Sequence, residues 1–156
     1  MSLGGGGGQM EEIQQQIQAM NAEVESIENE IDELRGEQAD IDEATEAIDL
    51  LEDDATVQVP LGGDAYVRAT VEDMDEIVVS LGGGYAAEHG SDEAVDTLER
   101  KRDSIDDRIE TLQGEVSEIE TQVQELEQQA QQMQQQQMQQ MQQQMGGLGG
   151  GDGDEE

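Results

Sequence analysis

Thr56-Val57-Gln58-Val59-Pro60-Leu61-Gly62-Gly63-Asp64-Ala65-Tyr66-Val67-Arg68-Ala69-Thr70-Val71 is the stretch on which the fold turns. Thr56 to Val59 is a short run rich in β-branched residues, which favour the pleated backbone. Pro60, Leu61, Gly62, Gly63 and Asp64 close it, and Ala65 to Val71 is a second such run. Two strand-like runs around a Gly-containing loop predict a β-hairpin. The pattern then repeats. Glu76-Ile77-Val78-Val79-Ser80-Leu81 is a third run, Gly82-Gly83-Gly84 a turn, and Tyr85-Ala86-Ala87-Glu88 a short fourth strand. Isolated hairpins are marginal in water. Two of them with open edges and few apolar side chains each are expected to pair with other chains, which makes the protein an obligate oligomer. Val57, Val59, Tyr66, Val67, Val71, Ile77, Val79 and Leu81 are the expected oligomerisation residues.

Outward from this segment the period changes. Met10, Ile13, Ile17, Met20, Val24, Ile27, Ile31 and Leu34 are spaced by alternating threes and fours, and the phase continues through Gln38, Ile41, Thr45 and Ile48. On the other side Val95, Leu98, Arg102, Ile105, Ile109, Leu112, Val116, Ile119, Val123, Leu126, Ala130 and Met133 keep the same spacing. Heptad stripes of this length predict two coiled-coil helices, and so narrow a seam needs a partner helix. The boundaries expected are a disordered Gly-rich tail over 1–8, a coiled-coil helix over 9–53, two hairpins over 54–91, a second helix over 92–145 and a disordered Gly/acidic tail over 146–156. Four of the six basic residues, Arg100, Lys101, Arg102 and Arg108, lie early in the second helix. An antiparallel hairpin sets them beside Asp49, Glu52, Asp53 and Asp54 at the acidic end of the first, where the helix dipole disfavours acids. One register pairs Ile31 with Leu112 and Met10 with Met133, but a seven-residue slide satisfies the stripes equally well. Gln38 and Arg102 interrupt the seam with polar groups, a pattern that specifies register. Gly36 and Gly114 fall on the outer face, Ser91 is expected to cap the second helix, and His89 reads as a turn residue.

Composition excludes several functions. Forty Asp+Glu against six Lys+Arg give a formal net charge of −34. Such a surface repels phosphate, which argues against nucleic acid and anionic membrane as partners. No apolar run is long enough to span a bilayer, and Met1-Ser2-Leu3 followed by Gly4 to Gly8 lacks the features of a secretory signal. The chain has no Cys and one His. Disulfides, thiol catalysis and Cys-ligated zinc are excluded, no nucleophile–base pair is visible, and neither an enzyme nor a cofactor is expected. The acidic runs lack the spacing of a calcium loop, and the glycine runs lack the Lys of a phosphate loop. The location expected is the cytoplasm. At molar salt the Debye length falls to about 3 Å, so the self-repulsion of this charge points to a salt-rich cytoplasm. An acidic coiled coil in ordinary cytoplasm is the alternative.

The end of the second stripe is different again. Residues 128–145 hold 13 Gln together with Met133, Met138, Met141 and Met145, and the last three Met sit one residue late for the seam. Met is flexible and polarisable and suits contact with unrelated apolar segments. Met10, Ile13, Met133, Met138, Met141 and Met145 are therefore the candidate tip for binding client chains. The alternative is a frayed low-complexity helix end.

Helix, two hairpins and helix, with Val59-Pro60-Leu61-Gly62 and Tyr66-Val67 in the first hairpin and Leu81-Gly82-Gly83-Gly84 in the second, resembles the archaeal prefoldin alpha family over about residues 9–135. The resemblance implies a long antiparallel two-helix coiled coil whose two central hairpins assemble, in a hexamer of two alpha and four beta subunits, into a β-barrel platform. It also implies a holdase that works without ATP, captures unfolded proteins at the coil tips and passes them to a group II chaperonin. A structural coiled-coil adaptor docking one defined protein is the rival reading of the residues.

Overall fold

The computed structural model describes residues 5–149, with side chains over 8–146. Two long helices flank four short strands: α1 Gly5–Leu50, β1 Thr56–Gly62, β2 Ala65–Thr70, β3 Ile77–Gly82, β4 Tyr85–His89 and α2 Ser91–Gly149. The expected elements are all present, and the bounds move by a few residues. Helix α1 starts at Gly5 where the sequence predicts 9, and α2 runs to Gly149 where it predicts 145. Glycine weakens a helix without ending it as proline does, and no proline lies near either end. The rest of the two expected tails, 1–4 and 150–156, lies outside the described residues.

The chain divides into two compact units. The first holds the chain termini, up to Glu30 and from Leu112 onward. Its core is Ile13, Ile27, Leu112 and Val123. The second spans Ile31–Thr111. Ile31, Ile41, Val79, Ala94, Ile105 and Ile109 are buried in it. Every stripe residue from Met10 to Ile48 and from Val95 to Met133 is buried or half-buried, while their neighbours on the sequence are mostly exposed. The heptad spacing thus reports the seam directly.

Register is legible in each unit. In the second, the Gln38 side-chain amide donates to Asp106 Oδ1 at 2.6 Å and to the Arg102 carbonyl at 3.3 Å. The Arg102 guanidinium donates to both carboxylate oxygens of Asp42, at 2.9 and 3.4 Å. Gln38 is the one buried polar side chain among the described residues. The polar seam positions thus find partners across the two helices, Gln38 in Asp106 and Arg102 in Asp42, and a slide of seven residues would separate these pairs. In the first unit Met20 shares a hollow with Leu126, and Ile13 shares another with Met133. Both units agree with the register that sets Met10 level with Met133.

The strands form two separate two-stranded antiparallel sheets. Val59 pairs with Val67 and Pro60 with Tyr66 in the first, and Val79 with Ala87 and Ser80 with Ala86 in the second. The pairings are offset by 20 residues throughout the turn regions. Each register shifts at a glycine, Gly62 or Gly82, before a two-residue connection. Gly63 and Asp64 in one connection, and Gly83 and Gly84 in the other, all have positive φ. Two consecutive left-handed residues make the turn whose twist suits a hairpin. Pro60, which cannot donate to a ladder, is tolerated because β1 has a partner on one side only.

Two local expectations need correction. The Ser91 hydroxyl does not cap α2; it donates to the Met74 carbonyl at 3.0 Å, tying the helix start to the β2–β3 connection. The Gly90 carbonyl accepts the first helical bond, from the Ala94 amide at 2.8 Å, so Gly90 takes the capping position. His89 is the last residue of β4, opposite Ile77, where a turn was expected. Its Nδ1 lies 3.6 Å from Glu93, and its buried Nε2 has no hydrogen-bond partner. The acidic end of α1 is also partly satisfied locally: Asp53 accepts a bond from the Met74 amide at 2.8 Å.

Candidate functional site

Two surfaces carry the expected site residues. The first is the pair of hairpins. Opposed residues share a face, so Val57, Val59, Val67 and Ala69 line one side of the first hairpin and Tyr66 lies on the other with Pro60. Val59 and Val67 are exposed, Tyr66 is 59% exposed, and Val57 and Val71 are half-buried. In the second hairpin Ile77 and Val79 lie on the covered face, and Val79 is buried within its own chain. The sequence cannot separate Val78 from Val79, because both are β-branched and adjacent. The structure sends Val78 outward, 65% exposed. Leu61, Leu81 and Tyr85 are exposed at the turns. Val78, Leu61 and Tyr85 were not among the expected residues. The signal for Leu61 is the repeated Leu-Gly-Gly, which gives it the same place in its hairpin as Leu81.

Large apolar side chains standing in solvent on strands with free edges are costly for an isolated chain. Among the described residues each sheet has two strands, so neither strand of a hairpin has a second neighbour. The chemistry available here is backbone pairing plus apolar burial.

The second surface is the end of the first unit. The expected tip residues separate into two groups. Ile13 is buried, while Met10 and Met133 are half-buried. Ile13 and Met133, with Gln9, Gln129 and others, line a hollow of about 460 Å³. Met138, Met141 and Met145 instead stand in solvent, and Met145 is 78% exposed. No charged residue occurs between Glu127 and Asp152. This end of α2 can therefore bury apolar area without stripping water from a carboxylate, which costs several kcal/mol per ion in a dry contact. Elsewhere on the helices the exposed positions are dominated by Asp and Glu.

Among the described residues no group of His, Asp and Glu could hold a metal ion, and no helix is long and apolar enough to cross a membrane. The two hollows in the first unit are lined by Gln, Glu and apolar residues, and those in the second unit by charged residues around Ile41.

Two heptad-striped helices flanking two separate β-hairpins with unpaired edges define a class of protein: a coiled-coil chain with β-hairpins set between its helices. The chain belongs to the prefoldin family, whose model, Prefoldin subunit, matches residues 13–136. It is 64% identical to the Prefoldin subunit alpha of Haloarcula marismortui over 65% of its own length and 66% of that relative's. It is 58% identical to the Prefoldin subunit alpha of Halorubrum lacusprofundi over 69% of its length and 70% of the relative's. In three dimensions it is similar to a filamentous PFD from Methanocaldococcus jannaschii solved by cryo-EM. The TM-score there is 0.51 at 27% identity, covering 75% of this chain and 93% of that one. The resemblance seen in the hairpin residues is borne out, and the haloarchaeal relatives support the halophilic reading of the charge.

Proposed function

We propose that this chain is the alpha subunit of a cytoplasmic prefoldin that holds unfolded proteins without ATP and passes them to a group II chaperonin. In this reading two alpha and four beta subunits join through the hairpins into a β-barrel platform. Val57, Val59, Tyr66, Val67, Val71 and Leu81 then contribute to the platform, with Val78, Leu61 and Tyr85 added for their exposure. Ile77 and Val79 support the second hairpin from its covered face.

The observation that carries the holdase reading is the exposed Met138, Met141 and Met145 within an uncharged stretch of a chain of net charge −34. Met10, Ile13 and Met133 pack just inside that end and would deepen the contact when a client inserts. Each contact is weak, and several tips acting together raise the effective affinity well above one contact. No cofactor takes part. The test is suppression of aggregation. The assembled protein, at stoichiometric amounts and without ATP, is expected to slow light scattering from several unrelated denatured proteins. Protection of none, together with tight binding to one folded protein, would replace the holdase with the adaptor.

A further inference from the structure

Arg68 on β2 and Glu88 on β4 are the only Lys, Arg, Asp or Glu in the four strands. They hold equivalent places in the two hairpins, Arg68 opposite Gln58 and Glu88 opposite Val78. Both are exposed, and among the described residues neither makes a hydrogen bond or an ion pair. The ladder fixes which way their backbones point. The Val71 amide donates to the Ala55 carbonyl at 2.8 Å, so the opposed Thr56 and Thr70 are not bonded to each other. Bonded and unbonded pairs alternate along an antiparallel ladder. Val57 and Val59 therefore bond to Ala69 and Val67, while Gln58, Pro60, Tyr66, Arg68 and Thr70 turn their backbone groups to the free edges. The second hairpin has the same register and the same shift at its glycine, which turns Val78 and Glu88 outward in turn. Pro60 has no N–H, so the edge of β1 lacks a donor there. The edge of β2 is complete at Tyr66, Arg68 and Thr70.

We propose that the free edge of β2 pairs antiparallel with the free edge of β4 in a second copy of this chain, with Arg68 opposite Glu88. A two-fold axis then repeats the contact with the roles exchanged. The inference rests on the platform reading above and names the strands that meet in it. Charge selects the occupant. Pairing β2 with β2 about its middle would set Arg68 against Arg68, and β4 with β4 would set Glu88 against Glu88; like charges directly opposite are destabilising. Strands β1 and β3 have no charge to answer Arg68, and β4 carries the one acid found on any strand. Within one copy the hairpins form separate sheets, so the Glu88 that answers Arg68 is not its own. The remaining side chains fit the same register. Ala69 comes opposite Ala87 and Val67 opposite His89, so small and apolar groups meet on the face that Val79 and Ile77 share. Val67, 45% exposed in the single chain, gains a neighbour there. The edges of β1 and β3 remain for other subunits.

The chain has no Cys, so introduced thiols give a clean readout. Ala69 and Ala87 would form an unbonded pair across the junction, about 4.5 Å apart at Cα, within the span of a disulfide. In the full-length, assembled protein, Ala69→Cys copies mixed with Ala87→Cys copies are expected to cross-link at least about tenfold faster under a mild oxidant than either variant alone. Adding Arg68→Glu to the Ala69→Cys copies sets acid against acid and is expected to slow the mixed reaction about tenfold. Adding Glu88→Arg to the Ala87→Cys copies is then expected to restore it to within about threefold. A mixed rate no higher than the single-variant rates, with the assembly intact by sizing, would overturn the pairing and give the edge of β2 to a different subunit. So would a mixed rate that Arg68→Glu leaves unchanged, or one that it slows and Glu88→Arg fails to rescue, since the acid that answers Arg68 would then lie elsewhere. Failure of the unaltered protein to assemble would overturn the platform reading, and this pairing with it.

Discussion

Replacing both polar seam residues, Gln38→Leu with Arg102→Leu, tests how the two helices choose among equivalent heptad alignments. In the native alignment the buried Gln38 amide bonds to Asp106 and to the Arg102 carbonyl, and Arg102 grips Asp42. Sliding one helix by a heptad toward Leu98 leaves the Gln38 amide an acceptor, because Glu99 comes to the place of Asp106, but it sets Arg102 level with Arg35 in place of Asp42. Losing the half-exposed Arg102–Asp42 pair costs about 0.2–1 kcal/mol, and the like charges that replace it add a similar amount. A gap of about 1.5 kcal/mol holds the slid form to roughly 7%. Both leucines remove the gap while adding apolar burial, so thermal stability is expected to hold or rise while alignment is lost. Spin labels at Gly36→Cys and Asp107→Cys, both exposed and both in the second unit, read the alignment by pulsed electron resonance. One heptad is about 10.5 Å of axial travel. The native seam is expected to give one distance and the double leucine variant two or more. A single unchanged distance in the variant would refute register control by the polar pair.

Three further outcomes are expected. Gly36→Ala and Gly114→Ala point into open space and should each add about 1 kcal/mol of helix stability, nearly additively, in thermal denaturation followed by circular dichroism. Val78→Asp with Leu81→Asp places charge on exposed strand positions and should dissolve the assembly in sizing experiments with helicity largely retained, whereas Val79→Asp should also lower the stability of the subunit, because Val79 is buried in its own chain. Lowering salt from molar to about 0.1 M lengthens the Debye length from about 3 to 10 Å, so the melting temperature should fall; a melting temperature independent of salt would count against a fold adapted to screen its own charge.

The helices were legible because a seam of period three and four is mostly apolar where it is buried, and both stripes keep to this except at Gln38, Thr45 and Arg102. Their alignment was less so, since a heptad repeat looks the same after a slide of seven. Only Gln38 and Arg102 break that symmetry, and their partners, Asp106 and Asp42, are acids among many. The hairpins were marked by Leu-Gly-Gly and by glycines that take up positive φ. Which face of each hairpin is covered was not marked, because runs such as Ile77-Val78-Val79 are apolar on both sides. Ser91 shows the limit of local rules: its hydroxyl has a better acceptor in Met74, seventeen residues away, than any role at the helix start. At the tip, composition singled out the six residues, and the one-residue slip after Met133 is the signal that divides the packed Met10, Ile13 and Met133 from the exposed Met138, Met141 and Met145.

The twenty-residue echo between the hairpins sets the valence of this chain. A subunit with one ribbon can donate a single pair of strands to its surroundings. This one carries two ribbons of matching turn geometry on a common base, and so can act as a link between two neighbours.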